Sequence, residues 1–112
     1  MYVRDIQQAI DLVHRAVSGK TVAEYECDAI LQSAVERQFI TIGEALAQLL
    51  RLMPALQARI SHARQIIAFR NILVHGYTNI ANDVVWSALQ QDLPVLRDEM
   101  DAMLDELNSV QG

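Results

Sequence analysis

A run of apolar residues at helical spacing dominates the sequence between positions 28 and 52. Apolar side chains that recur every three or four residues fall on one side of an α-helix. A helix of this length extends roughly 37 Å at 1.5 Å per residue. Pro54 ends it, because proline lacks an amide proton and crowds the preceding turn. The run therefore predicts a long central helix, with these apolar positions on its buried side: Ile30, Leu31, Ala34, Val35, Phe39, Ile42, Leu46, Leu49 and Leu50.

The rest of the chain also favours helices. Its 112 residues include only four Gly and two Pro, and no segment alternates β-branched with polar residues as a strand would. We expect a first helix that ends at Ser18-Gly19, a capping box from Thr21 to Glu24, a helix from near Ser61 to Gly76, and a last helix capped by Asn82 or Asp83 that continues through Pro94. The sequence predicts one all-α domain over residues 1–112, an antiparallel bundle of four to five helices.

Charge and composition exclude several classes of protein. The net charge is -5, which rules out a uniformly basic surface for wrapping nucleic acid. No acid occurs between Glu44 and Asp83, so the arginines and histidines of this stretch create a locally positive zone that suits an anionic ligand. One cysteine, Cys27, cannot form an intrachain disulfide, and we expect neither a metal site nor a cofactor. No apolar run approaches the roughly 20 residues of a membrane span, and no secretory signal is apparent, so we expect a cytoplasmic protein.

Residues 70–77 crowd together a permanent cation, an amide, an imidazole and a phenol. Asn71 and His75 are four residues apart and share a helix face, so the amide can orient the ring. Arg70 and His75 lie about 140° apart around an ideal helix, so the two converge only through a long side chain, an unwound helix end or a second copy of the chain. The pair is either a surface cation beside a helix-capping imidazole or the centre of an active site.

The string R-N-I-L-V-H-G-Y resembles the R-x(4)-H-x-Y signature of the HepT-like toxins, a branch of the HEPN superfamily of helical ribonucleases. The resemblance covers most of the chain, including Ile42-Gly43-Glu44-Ala45 in the central helix. It implies an HEPN-like bundle that dimerises, so that the two motifs face each other across a cleft. It also implies a metal-independent endoribonuclease in which His75 is a general acid or base, Arg70 stabilises charge on the phosphate and Asn71 supports them. Arg64 and Arg59 are expected to bind flanking RNA phosphates.

For the same family, the resemblance implies a toxin–antitoxin pair in which an MntA-type nucleotidyltransferase neutralises the toxin by transferring AMP to Tyr77. An alternative is a non-catalytic helical homodimer that binds a nucleotidyltransferase and helps to position its nucleotide substrate. Glu44 also has two interpretations: a buried partner for an arginine, or a catalytic carboxylate.

Overall fold

The computed structural model describes residues 1–75 and 81–111, and within these ranges the chain forms helices and no strand. The all-α prediction is therefore confirmed. A 3₁₀ segment at Pro54–Arg59 and a π-helical segment at Ala88–Asp92 accompany the α-helices. The α-helices of the described ranges are α1 (Tyr2–Val17), α2 (Val22–Glu26), α3 (Ala29–Leu52), α4 (Ala63–His75), α5 (Asn82–Ser87) and α6 (Leu93–Gln111).

The helix ends in the first half of the chain follow local sequence signals. Gly19, just after α1, has φ +74°, a left-handed backbone conformation that residues other than glycine rarely adopt. Thr21 and Glu24 form the expected capping box at the start of α2. The Asp28 carboxylate accepts a hydrogen bond from the Leu31 amide at 3.0 Å and caps α3. These contacts confirm the ends of the first helix and the start of the central helix.

Two predicted helix caps are wrong, although both helices begin within two residues of the predicted positions. Helix α4 begins at Ala63, two residues beyond Ser61, whose amide and hydroxyl both donate to the Glu99 carboxylate at 3.0 and 2.9 Å. Ser61 therefore bonds to α6 and does not cap α4. Helix α5 has no side-chain cap, because its N-cap residue is Ala81; Asn82 and Asp83 are the first two residues inside the helix.

The last part of the chain runs continuously from α5 through the π-helical segment into α6. Within it, the Leu93 amide donates to the carbonyl of Ala88, five residues back. Pro94 follows directly, and a proline ring clashes with the carbonyl four residues before it in a regular α-helix. The wider π turn relieves that crowding. As predicted, Pro94 does not end the helix.

Helix α3 lies at the centre and packs against both α1 and α4, while α1 also packs against α6. Helices α1 and α6 are antiparallel, since Gln7 bonds to Asp101 and Asp11 to Arg97. The core is apolar throughout the described ranges, and two aromatic pairs, Tyr25 with Trp86 and Phe39 with Phe69, reinforce it at centroid distances of 5.5 and 5.0 Å. No helix in the two ranges is both long and apolar enough to cross a membrane.

Candidate active site around Arg70

Arg70 lies near the end of α4, where this helix packs across α3. Its side chain is 26% exposed, so most of it is covered and only part is open to solvent. The stem rests on Gly43 of α3. The position of this arginine is therefore set by the contact between two long helices and not by a loop.

Gly43 is buried and leaves the space that the Arg70 stem occupies. A Cβ atom added to Gly43 would lie 2.3 Å from Arg70 Cβ and 2.6 Å from Arg70 Cγ. Both of these atoms are close to the backbone of α4 and cannot rotate away freely. A glycine inside a helix costs about 1 kcal/mol relative to alanine, and such a position often marks a close approach. Only a residue without a side chain allows the two helices to meet here in this arrangement.

Two hydrogen bonds orient the Arg70 guanidinium. Its Nη2 donates to Glu44 Oε1 at 2.8 Å, and its Nη1 donates to Asn71 Oδ1 at 2.9 Å. Its Nε is buried and has no hydrogen-bond partner among the described residues. Glu44 is thus an arginine partner, as one of its two interpretations predicted, but its side chain is 59% exposed and not buried. The outward direction of Glu44 follows from its position beside Gly43, on the solvent side of α3.

The structure describes His75 but not the rest of the motif beyond it. His75 is the last residue of α4 and is exposed, and it takes part in a contact with its surroundings. Arg70 and His75 remain five residues apart on one continuous helix, as the sequence predicts. Tyr77 and the predicted helix end at Gly76 lie outside the described residues.

The two arginines expected to contact flanking phosphates lie in different surroundings. Arg64 and Asn71 line one groove together with Leu50 and Gln57. Arg59 lines a separate, mostly apolar groove, where its Nη2 pairs with Glu106 Oε1 at 2.7 Å. Arg64 is therefore linked to Arg70 through their shared neighbour Asn71, whereas Arg59 is held by an acid from α6.

Arg70 itself lines a third groove of about 630 Å³, which we call the α1–α3 groove. Its lining consists of five uncharged polar, four charged and four apolar residues, and the sequence analysis did not predict it. Arg51 was noted only as a member of the acid-free stretch, yet it lines this groove with Arg70. The spacing of Glu44, Gln48 and Arg51 along one face of α3 was the signal that could have revealed it. The lining includes Tyr2, Gln8, Gln38, Gln48, Arg51 and Arg70.

Within residues 1–75 and 81–111, no three His, Cys, Asp or Glu side chains come together in a way that could hold a metal ion. The charged groups that meet at the site are instead the Arg70 guanidinium and the Glu44 carboxylate.

The described ranges form an all-α bundle in which Arg70, Asn71 and His75 lie in the second half of α4. The family model described as "Ribonuclease HepT-like" matches residues 6–103, nearly the whole chain. The chain belongs to the HepT-like family.

Curated relatives carry related names. A protein of Thermococcus cleftensis named "Probable ribonuclease HepT" is 28% identical over 102 residues, which cover 91% of this chain and 92% of the relative. A protein of Methanocaldococcus jannaschii, "Gamma-glutamylcyclotransferase and putative RNase", is 26% identical over 110 residues, which cover 96% of this chain. This chain spans about half of that protein, 48% of its length. No solved structure matches the chain significantly.

Proposed function

We propose that this protein is an endoribonuclease that cleaves RNA without a metal ion, with Arg70 and His75 as its catalytic residues. The observation that carries the proposal is the fixed position of Arg70. Gly43 leaves space for its aliphatic stem, and Glu44 and Asn71 accept hydrogen bonds that orient its guanidinium. An oriented guanidinium at the surface suits a phosphate, because its N–H groups match two phosphate oxygens. Membership of the HepT-like family and the names of its relatives support the same chemistry.

The active site of the proposed enzyme is shared between two copies of the chain. Arg70 and His75 are about 140° apart around α4, so one copy does not bring both to the same phosphate easily. Ile72 and Val74, on the turn before His75, are 45% and 46% exposed. Apolar side chains exposed beside the motif favour an interface with a second copy. A two-fold axis there pairs Arg70 of one subunit with the histidine of the other.

In the proposed reaction, the RNA 2′-oxygen attacks the adjacent phosphorus while His75 accepts the hydroxyl proton. Arg70 stabilises the extra negative charge of the five-coordinate phosphorane. The bond from phosphorus to the 5′-oxygen then breaks, and the same His75, which the first step has protonated, returns the proton to this oxygen. The products are a 2′,3′-cyclic phosphate and a free 5′-hydroxyl. General acid–base catalysis of this kind typically raises the reaction rate about 10²- to 10⁴-fold.

The proposal includes control by a partner, a nucleotidyltransferase of the MntA type acting as an antitoxin. The Tyr77 oxygen would attack the α-phosphorus of ATP, release pyrophosphate and lose its proton, so that AMP becomes attached to the phenol. The added phosphodiester brings a negative charge close to Arg70 and His75 in sequence, where it competes with an RNA phosphate. This modification would switch the ribonuclease off.

Cleavage of single-stranded RNA by the purified protein, followed by analysis of the product ends, tests the proposed reaction. We expect 2′,3′-cyclic phosphates that form in the presence of EDTA, and loss of cleavage in Arg70→Ala and His75→Ala. Arg37→Ala, an exposed change on α3, is the matched control and should cleave normally. Wild-type protein that leaves RNA intact but binds a nucleotidyltransferase would favour the non-catalytic alternative.

The intact mass of the protein after incubation with its nucleotidyltransferase, ATP and Mg²⁺ tests the proposed control. We expect the mass of one or more AMP units on the wild type and none on Tyr77→Phe. An increase that survives Tyr77→Phe would place the modification on another residue, and no increase would mean that inhibition works through complex formation alone.

A further inference from the structure

We propose that the α1–α3 groove is a binding subsite for single-stranded RNA, in which Arg51 contacts a phosphate beside the one that is cleaved. This inference rests on the proposed ribonuclease function. It adds a binding residue and a path for the substrate strand, and neither follows from the Arg70–His75 motif.

The position of Arg70 links the groove to the proposed chemistry. Arg70 lines the α1–α3 groove together with Glu44, its ion-pair partner. A phosphate held by Arg70 therefore lies at the edge of this groove, and the neighbouring nucleotide of the strand can enter it. The volume of about 630 Å³ falls within the range of roughly 300–1,000 Å³ typical of small-molecule sites. There is room for a nucleotide.

Arg51 supplies the second cation of the groove. It is exposed and has no ion-pair partner among the described residues, so its charge is available to a ligand. Arg51 follows Glu44, the partner of Arg70, by seven residues, which is about 10 Å along the axis of α3. The two arginines are thus spaced for different phosphates of one strand. Arg70 would hold the reacting phosphate and Arg51 a neighbouring one.

The two carboxylates of the groove differ in their effect on this proposal. Glu44 is already paired with Arg70 at 2.8 Å, so a phosphate must compete with this carboxylate for the guanidinium. Asp5 is exposed, lines the same groove and has no ion-pair partner in the described ranges. An unpaired carboxylate repels phosphate, so Asp5 weakens RNA binding. Opposite effects are therefore expected when Arg51 and Asp5 are neutralised.

The uncharged polar side chains of the α1–α3 groove can contact RNA bases. The amides of Gln8, Gln38 and Gln48 can each donate and accept a hydrogen bond, as the edges of unpaired bases require. Tyr2 offers an aromatic ring on which a base can stack. Base edges and faces are open to such contacts in single strands, whereas paired helices bury them. The groove therefore favours single-stranded over double-stranded RNA.

The test measures binding of a fluorescein-labelled single-stranded RNA by anisotropy, in a His75→Ala background that prevents cleavage. We expect Arg51→Gln to raise Kd about tenfold. The fall of log K with log salt concentration should become less steep by about 0.7, the contribution of one phosphate contact on a single strand. Asp5→Asn should tighten binding. Arg37→Gln, which removes the same charge from the same helix outside the groove, should keep the wild-type Kd and slope.

The outcomes separate this inference from the proposed function. Wild-type protein that cleaves RNA while Arg51→Gln and Arg37→Gln bind it equally well would overturn the subsite alone. Wild-type protein that neither binds nor cleaves RNA would overturn the proposed function. Dissociation of a dimer by Arg51→Gln, seen by sedimentation, would instead identify the groove as an interface between copies and would also overturn the subsite.

Discussion

Among single residues, Gly43 has the sharpest steric role. Its replacement by alanine puts a Cβ atom 2.3 Å from Arg70 Cβ, so α3 and α4 must separate or Arg70 must leave its place. Overpacking of this kind costs about 1–3 kcal/mol. Because alanine regains about 1 kcal/mol of helix propensity, we expect Gly43→Ala to lower the free energy of unfolding by up to about 2 kcal/mol in urea titrations. Ser33→Ala, at an exposed position of the same helix, should change stability little; equal stability of both variants would contradict the close contact.

Tyr25 carries a second prediction for a single side chain. Its ring is fully buried, and its hydroxyl has no hydrogen-bond partner within residues 1–75 and 81–111. Burial, with a smaller contribution from the negative charge of Glu36, raises the pKa of Tyr25 from 10.0 to about 12. The unfolded chain therefore loses this proton first, and stability falls as the pH rises from about 10 to about 12, by roughly 2–3 kcal/mol in total.

Tyr25→Phe removes the titrating group and the unpaired hydroxyl together. We expect this variant to be as stable as the wild type or more stable at pH 7, because a buried hydroxyl without a partner contributes nothing favourable. Its free energy of unfolding should also decline less between pH 10 and 12, measured by urea unfolding at each pH. A parallel decline in both proteins would show that Tyr25 is not the group responsible.

The role of Glu44 was predictable from the sequence only in part. A carboxylate among apolar neighbours on a long helix indicated a partner for an arginine, and Arg70 is that partner. Its exposure was not predictable, because it depends on how α4 crosses α3. The same crossing explains why the steric role of Gly43 was not apparent in the sequence: the contact joins residues 27 positions apart and has no local signature.

At the level of helices, local signals predicted most ends correctly. Apolar spacing and Pro54 gave the central helix, and Thr21 and Asp28 cap α2 and α3 as short-range chemistry dictates. The π-helical segment at Ala88–Asp92 was not predicted, since the sequence allowed Pro94 in a continuing helix without showing how the chain adjusts before it. Ser61 failed as a cap because Glu99, 38 residues away, takes its hydrogen bonds.

The cap of α3 provides a prediction for a whole helix. The Asp28 carboxylate accepts the Leu31 amide at 3.0 Å, and loss of such a cap typically costs about 1 kcal/mol. We expect Asp28→Ala to lower the melting temperature, while Asp28→Asn, which keeps a capping oxygen, should lower it less. Thermal unfolding followed by circular dichroism at 222 nm checks both. Equal melting temperatures for Asp28→Ala and the wild type would contradict a stabilising cap.

Across the whole molecule, long-range ion pairs fix how the helices assemble, and sequence spacing does not reveal them. Arg97 of α6 reaches Asp11 of α1 with two hydrogen bonds, at 3.0 and 3.2 Å, and also bonds to Asp101. Arg59 pairs with Glu106 across 47 residues. For this reason the sequence could group Arg59 with Arg64 as phosphate contacts, whereas the fold places the two in separate grooves.

The central claim is that Arg70 and His75 act together from two different subunits. Mixing two inactive variants, Arg70→Ala and His75→Ala, tests it most directly. In a mixed dimer, the first variant still supplies His75 and the second still supplies Arg70, so one complete shared site is restored. With random exchange of subunits, we expect about a quarter of wild-type RNA cleavage, since half of the dimers are mixed and each has one of its two sites intact. Subunit exchange that is confirmed by mass spectrometry but restores no cleavage would contradict a site shared between subunits.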